Sequence, residues 1–184
     1  MAKRVRAYVG LGANVGDERT NLRHAVRALG ALPHVRLLGV SRLYRTAPVG
    51  VTDQPDFLNA VVALDVPLGP DPQTGALALL AALKVLEVAI GRKVRRRWGP
   101  REIDLDLLIF GRHQIRVERP HNRQDKRWLV VPHPEARARL FVLAPLADLA
   151  PWLVPPGWGE SVESARRRVA AEGPESAVQV VGKL

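Results

Sequence analysis

Two aspartates one residue apart, preceded by a dense run of arginines, are the residues of this chain best suited to chemistry. The stretch Gly91–Gly111 reads GRKVRRRWGPREIDLDLLIFG. It holds five arginines, a lysine, a tryptophan and the pair Asp104 and Asp106. The run Ile103–Phe110 is β-branched and aliphatic, which predicts a strand. Side chains alternate along a strand, so the two aspartates share a face with Cα atoms roughly 6.5–7 Å apart. Two carboxylates at that spacing suit a pair of hard cations held from one side. Magnesium takes oxygen ligands, commonly one or two carboxylates together with substrate phosphates. Arg92, Arg95, Arg96, Arg97 and Arg101 carry guanidinium forks that match phosphate oxygens. Two plainer readings stand beside this one. An arginine run in a loop is ordinarily a solvated surface, and carboxylates next to Leu105, Leu107, Leu108 and Ile109 can find partners in Arg92 or Arg101 with no metal at all.

The elements that must position these groups are legible as periodic patterns. Val5, Ala7, Val9 and Leu11 alternate as a strand that runs into a Gly- and Asn-rich turn, GLGANVGD; the G-x-x-x-x-G-K-[ST] pattern is absent, so no P-loop is expected. Leu22, Ala25, Val26 and Leu29 recur at helical spacing over 19–32, with Arg19, Arg23 and Arg27 on another face, and Pro33 ends the helix. Residues 35–44 predict a second strand, 47–55 a long loop and 57–66 a third strand, on which Phe57 and Asn59 share a face. Such a pair could offer a ring and a hydrogen-bonding edge to a planar heterocycle, or simply serve the core. Residues 74–90 predict a helix with Leu79, Leu83, Leu86 and Ile90 inward and Gly91 as its stop. Lys84 and Glu87 lie one turn apart on it; they read as a surface ion pair, or as groups facing the arginine segment.

Beyond the fourth strand, Arg112–Gln114 suggests a hairpin turn before a short strand over 115–118. A basic insertion over 119–127 reads as a surface loop that carries an exposed His121. His133 is framed by Pro132 and Pro134, with Arg139 and Phe141 close behind. A short helix over 140–149, an irregular stretch over 151–158, a last helix over 161–171 and an edge strand over 177–181 complete the chain. No internal repeat is present.

Composition bounds the function classes. The 28 Lys and Arg against 18 Asp and Glu give a formal charge of +10 over 184 residues, a field that attracts polyanions such as nucleotides or nucleic acid. The absence of cysteine excludes a disulfide scaffold and a thiolate metal site. No apolar run predicts a signal peptide or a membrane-length span, so a cytoplasmic protein is expected.

The segments G-A-N-V-G-D, R-T-A-P-V-G, D-Q-P-D-F-L-N, E-x-x-x-G-R, R-W-G-P-R-E-I-D-L-D and V-P-H-P, in this order, resemble the 6-hydroxymethyl-7,8-dihydropterin pyrophosphokinase family of folate biosynthesis. The match runs from about Tyr8 to Leu153. The resemblance implies a single domain over 1–184 of the α+β class, with a ferredoxin-like core in which helices flank an antiparallel sheet. It also implies transfer of the β,γ-diphosphate of ATP to the hydroxymethyl oxygen of the pterin, with release of AMP. Asp104 and Asp106 would then ligate two magnesium ions and, with Arg92 and Arg101, form the catalytic set. Arg92, Arg101, His133 and Arg139 would contact phosphate, with Glu87, Trp98 and Leu107 also at the ATP site. Phe57 and Phe141 would sandwich the pterin, and Thr46, Asn59 and the backbone at Val49 would read its polar edge. Lys84 departs from a frequent glutamine, Phe57 and Pro134 from tyrosines, and Trp128 from a basic residue. Either Val94 or Arg95 occupies the place of the family's second loop arginine.

The implied partners are ATP and the pterin, with no nucleic acid, no membrane and a monomeric chain. The competing class is a basic nucleic-acid-binding module, since ferredoxin-like sheets can stack bases. An aromatic-rich strand is missing, however, and aromatics make only 5% of the chain. A regulatory domain without catalysis leaves the aspartate pair unexplained.

Overall fold

A computed structural model describes residues 3–48, 53–93, 99–118, 127–172 and 178–184. Its centre is strand β1, Arg4–Ala13, which pairs antiparallel with two strands that carry the chemistry: β4, Phe57–Pro67, on one side and β5, Asp104–Phe110, on the other. The sheet grows outward from β4 through β2, Arg36–Val40, and β3, Arg42–Thr46. The order β5-β1-β4-β3, with a helix after β1 and another after β4, is the ferredoxin-like arrangement of an α+β fold. A last strand, β8, Val178–Lys183, adds to β3. β6, Ile115–Glu118, pairs antiparallel with β7, Arg127–Val131, in a separate two-stranded sheet and not with β5, so the hairpin expected at Arg112–Gln114 is not formed.

The bounds of three elements differ from the sequence reading. The second strand is two strands, because Ser41 breaks the ladder. Its hydroxyl accepts the Val61 N–H at 2.9 Å and donates to the Arg42 carbonyl at 2.7 Å, so a side chain replaces a backbone partner. The first strand runs through Gly10 and Gly12 to Ala13 instead of turning at them. The long helix α2, Pro72–Ile90, begins two residues before the expected start, with Pro72 in its first turn and Asp71 as N-cap accepting from the Thr74 N–H at 2.9 Å. Gly91 closes α2 at φ 102°, a left-handed conformation that favours glycine.

Layering follows from the alternation. Helices α1, Glu18–Gly30, and α2 bury Leu22, Leu29, Leu79 and Leu83 against the face that carries Val9, Leu11, Leu105 and Leu107. Against the opposite face, α3, Leu140–Leu149, and α4, Val162–Ala170, cover Tyr8, Val61, Ala63, Leu108 and Ile109. By length and composition α2 could cross a membrane, contrary to the expectation that no such stretch exists. In the fold it is a core helix, with Leu83 fully buried and Glu87 tied to β5.

Helix α3 is fastened to the sheet by one polar cluster. Arg42 donates to Asp148 from its guanidinium at 2.6 Å and from its backbone N–H at 2.9 Å, and the Tyr44 hydroxyl donates to the same carboxylate at 3.0 Å. Against the upward push of burial, these bonds hold the Asp148 carboxyl below its ordinary range. Burial first, and then the bond to Asp148, push the Tyr44 phenol up to about 12. Asp148→Ala is expected to destabilise the fold by about 2 kcal/mol in urea titration, because charge-assisted hydrogen bonds are lost and a buried phenol is stranded. The fold favours protonated Tyr44, so its contribution is whole below the ordinary tyrosine value of 10.0 and lost as pH rises toward about 12. Urea stability should therefore fall across that window in the wild type, and fall less steeply in Tyr44→Phe.

Candidate active site

The register places one open row of residues across the sheet. Asp104 stands opposite Gly12, Gly12 opposite Asn59, and Asn59 opposite Tyr44; one step along, Asp106 stands opposite Gly10. All belong to the face that α3 covers farther down, so the row lies on that face beyond Tyr8, Val61 and Leu108. The two glycines keep the sheet low between the carboxylates and the Asn59 amide. A Cβ at Gly12 would come within 3.2 Å of Asn59 Oδ1, closer than side-chain atoms normally pack. Nothing in the spacing of the sequence alone showed this role, because it depends on which strand lies beside β1.

At the acidic end, Asp104 accepts hydrogen bonds from Arg92 at 2.7 Å and from Arg101. Arg92 also pairs with Glu87. The partner-only reading of Asp104 is therefore realised in this arrangement, while Asp106 is freer. Its side chain keeps 45% of its exposure, and Lys84 Nζ stands 4.0 Å from it. Partial burial, then the Asp104 carboxylate, push Asp106 above the usual carboxylate range. Among the described residues no third His, Cys, Asp or Glu joins the pair to make a protein-only metal cage. Two carboxylates on one open face do fit a hard cation that completes its shell with phosphate oxygens and water.

Glu87 is only 3% exposed, and the expected surface pair with Lys84 is a buried junction on the glutamate side. Burial raises its pKa, with Lys84 and the Leu105 N–H pulling the other way. His133 donates its backbone N–H to the Leu108 carbonyl at 2.8 Å, and its Nδ1 accepts from the Glu135 N–H at 3.3 Å. Burial lowers the pKa of the imidazole, which Asp106 opposes and Arg139 reinforces. Arg139 lies over the Phe141 ring at 5.6 Å. Together these put His133 beside the aspartates, with a cation and an aromatic following it.

At the other end, Asn59 donates its amide to Thr46 Oγ1 at 2.8 Å, and both are buried. Phe57 is half-buried two residues along the same strand. Asn14, which sequence reading left inside a turn motif, is 1% exposed and links the two ends. Its Oδ1 accepts the Arg101 N–H at 2.8 Å, while its Nδ2 donates to Gln54 Oε1 at 3.1 Å and to the Pro55 carbonyl at 3.0 Å. Leu107, expected at the ATP site, alternates to the other face and is buried in the α1–α2 core. Its side chain is thereby removed from the site. Val49, Trp98 and the arginines at 95–97 lie outside the described residues, as does most of the basic insertion.

The profile of 7,8-dihydro-6-hydroxymethylpterin-pyrophosphokinase (HPPK) matches residues 8–151. The 2-amino-4-hydroxy-6-hydroxymethyldihydropteridine pyrophosphokinase of Methylorubrum extorquens is 44% identical over 170 residues, which is 92% of this chain and 97% of that protein. The enzyme of the same name from Bacillus subtilis is 43% identical over 143 residues, covering 78% of this chain and 77% of the relative. Among solved structures, Plasmodium falciparum HPPK-DHPS with pteroate superposes with a TM-score of 0.70 at 14% identity, over 94% of this chain. The chain spans only 43% of that longer protein, and a likeness at this identity speaks for the fold. An aspartate pair on a glycine-cleared sheet face, a ferredoxin-like topology and these sequence matches agree, and the chain belongs to the 7,8-dihydro-6-hydroxymethylpterin-pyrophosphokinase family.

Proposed function

We propose that this sheet face carries out the family's reaction with Asp104 and Asp106 holding two magnesium ions. In that reaction the diphosphate of ATP passes to the hydroxymethyl group of 6-hydroxymethyl-7,8-dihydropterin, giving AMP and the pterin diphosphate. The observation that carries the reading is the pair of carboxylates on one open face, with Arg92, Arg101, Lys84 and His133 gathered around them.

In the transfer, the hydroxymethyl oxygen forms a bond to the β-phosphorus. The bond from that phosphorus to the α,β-bridging oxygen breaks, AMP leaves with that oxygen, and the hydroxyl proton is released. When bound, magnesium would neutralise triphosphate charge and polarise the β-phosphoryl group. The protein's share is placement. Arg92 and Arg101, which pair with Asp104, carry guanidinium forks that would serve phosphate oxygens. His133 and Arg139 extend the phosphate-binding edge. Phe57 and Phe141 stack on the pterin, while Asn59, held by Thr46, reads its amide-like edge. Asn14 fixes the start of the pterin strand to the backbone of Arg101, so that acceptor and phosphates meet in register. Placement of reacting groups accounts for much of the lowering of the barrier in phosphoryl transfer.

Incubation with ATP and magnesium should yield AMP only when the pterin is present. Formation of ADP, or no turnover by folded protein, would leave a shared fold without the shared reaction. Asp104→Ala and Asp106→Ala should each lower kcat/KM by more than about a hundredfold, exceeding the loss usual for residues that merely support a metal ligand. Full pterin-dependent turnover in either variant would refute the metal role.

A further inference from the structure

We propose that Lys84 and Glu87 form a clamp on the peptide of Leu105 and thereby set the spacing and aim of the Asp104 and Asp106 carboxylates. The inference rests on the reading that those aspartates hold magnesium.

Leu105 is the residue between the two aspartates, and β5 is an edge strand of the main sheet. In an antiparallel ladder alternate residues turn their N–H and C=O away from the partner strand. Leu105 stands opposite Leu11 on β1, yet its backbone groups point outward to α2. Its N–H donates to Glu87 Oε1 at 2.7 Å, and its carbonyl accepts from Lys84 Nζ at 2.9 Å. Lys84 Nζ also donates to the same Glu87 oxygen at 2.7 Å, which closes the arrangement. Two side chains one helical turn apart thus stand in for a missing neighbouring strand. The other Glu87 oxygen pairs with Arg92, which in turn donates to Asp104. Lys84 Nζ reaches 4.0 Å from Asp106. The clamp therefore touches the backbone between the aspartates and also a cation beside each of them.

An ordinary surface ion pair does not account for this. Glu87 is 3% exposed, and burying a carboxylate is costly unless its oxygens are engaged. Both are engaged, by protein donors. The arrangement makes Glu87 and Lys84 positioning residues that act through Leu105, not direct contacts of the nucleotide.

The test is amide hydrogen exchange at Leu105 in the protein without substrates, combined with the magnesium dependence of turnover. Glu87→Ala, checked for a wild-type circular dichroism spectrum, should speed Leu105 exchange by about tenfold or more relative to β1 amides. It should also raise the half-saturating magnesium concentration by about 10- to 100-fold, as loss of a group supporting a metal ligand does, with the pterin KM unmoved. Glu87→Gln keeps an acceptor for the Leu105 N–H and should retain its slow exchange. Two results would overturn the clamp: unchanged Leu105 exchange in folded Glu87→Ala, or a rise in ATP KM with magnesium dependence unaltered. Should Glu87→Ala not fold, Lys84→Met removes the carbonyl's donor from a half-exposed position, and wild-type magnesium dependence in that variant would equally sink the proposal. If magnesium dependence fails to respond even in Asp104→Ala, the metal reading falls, while Leu105 exchange still decides the clamp.

Discussion

Two like charges held on one strand face are the constraint on which the rest of the structure depends. Two unit charges separated by roughly the 6.5 Å expected between the Cα atoms of alternate strand residues repel by about 2.5 kcal/mol at an effective dielectric constant near 20. Burial adds to the penalty, and Asp106 responds with a raised pKa. Among the described residues, cations answer from three places: Arg92 just past the end of α2, Arg101 just before β5, and Lys84 one turn back on α2. This balance is asymmetric. Asp104 is satisfied by two arginines and is only 16% exposed, whereas Asp106 keeps an open side. The protein thus holds an acidic pair in a form that is tolerable in the fold and that leaves Asp106 open to solvent on one side.

The sheet makes that storage usable by being covered unevenly. One face is buried along its length by α1 and α2, which fixes the register of β1, β4 and β5 through Val9, Leu11, Leu58, Leu105 and Leu107. A one-residue slip would throw the aspartates into that core. The other face is covered by α3 and α4 only as far as Tyr8, Val61 and Leu108. Gly12 removes the side chain that would otherwise stand between Asp104 and Asn59, and Gly10 the one between Asp106 and Val61. Anchorage of α3 through Asp148 decides where the cover stops. Packing on one face and its omission on the other therefore produce the site together.

How much of this was legible in the sequence depends on the range of the interaction involved. The helices, the strand that carries Asp104 and Asp106, and the shared face of Phe57 and Asn59 follow from short periods and caps, and the structure has them. Gly10 and Gly12 read as a turn because a glycine's purpose depends on its cross-strand neighbours, and register is a long-range quantity. The break at Ser41 turns on a hydroxyl bonded to Val61, twenty residues away. Leu107 was carried to the ATP site by resemblance, although simple alternation from Asp106 already places its side chain on the opposite face. Lys84 and Glu87 looked like a surface pair because helical spacing brings them together without saying that Leu105 lies beneath them.

Asn14 shows how the two halves of the reaction can be made to depend on each other. Its side chain binds the segment that leads into Phe57 and Asn59 and also the backbone of Arg101, and its own N–H donates to the Arg101 carbonyl at 2.9 Å. With 1% exposure and three side-chain hydrogen bonds, it cannot follow one segment without pulling on the other or leaving a buried polar atom unpaired, which costs about 1–3 kcal/mol. Order in the segment that carries Arg101 is thereby shared with the segment that leads into Phe57 and Asn59. For a transfer in which water competes with the hydroxymethyl group as acceptor, that linkage has chemical value. Under the proposed roles, Arg101 would be best placed for phosphate when the strand that carries Phe57 and Asn59 is also in its place, so the diphosphate would be presented where the pterin stands and not to solvent.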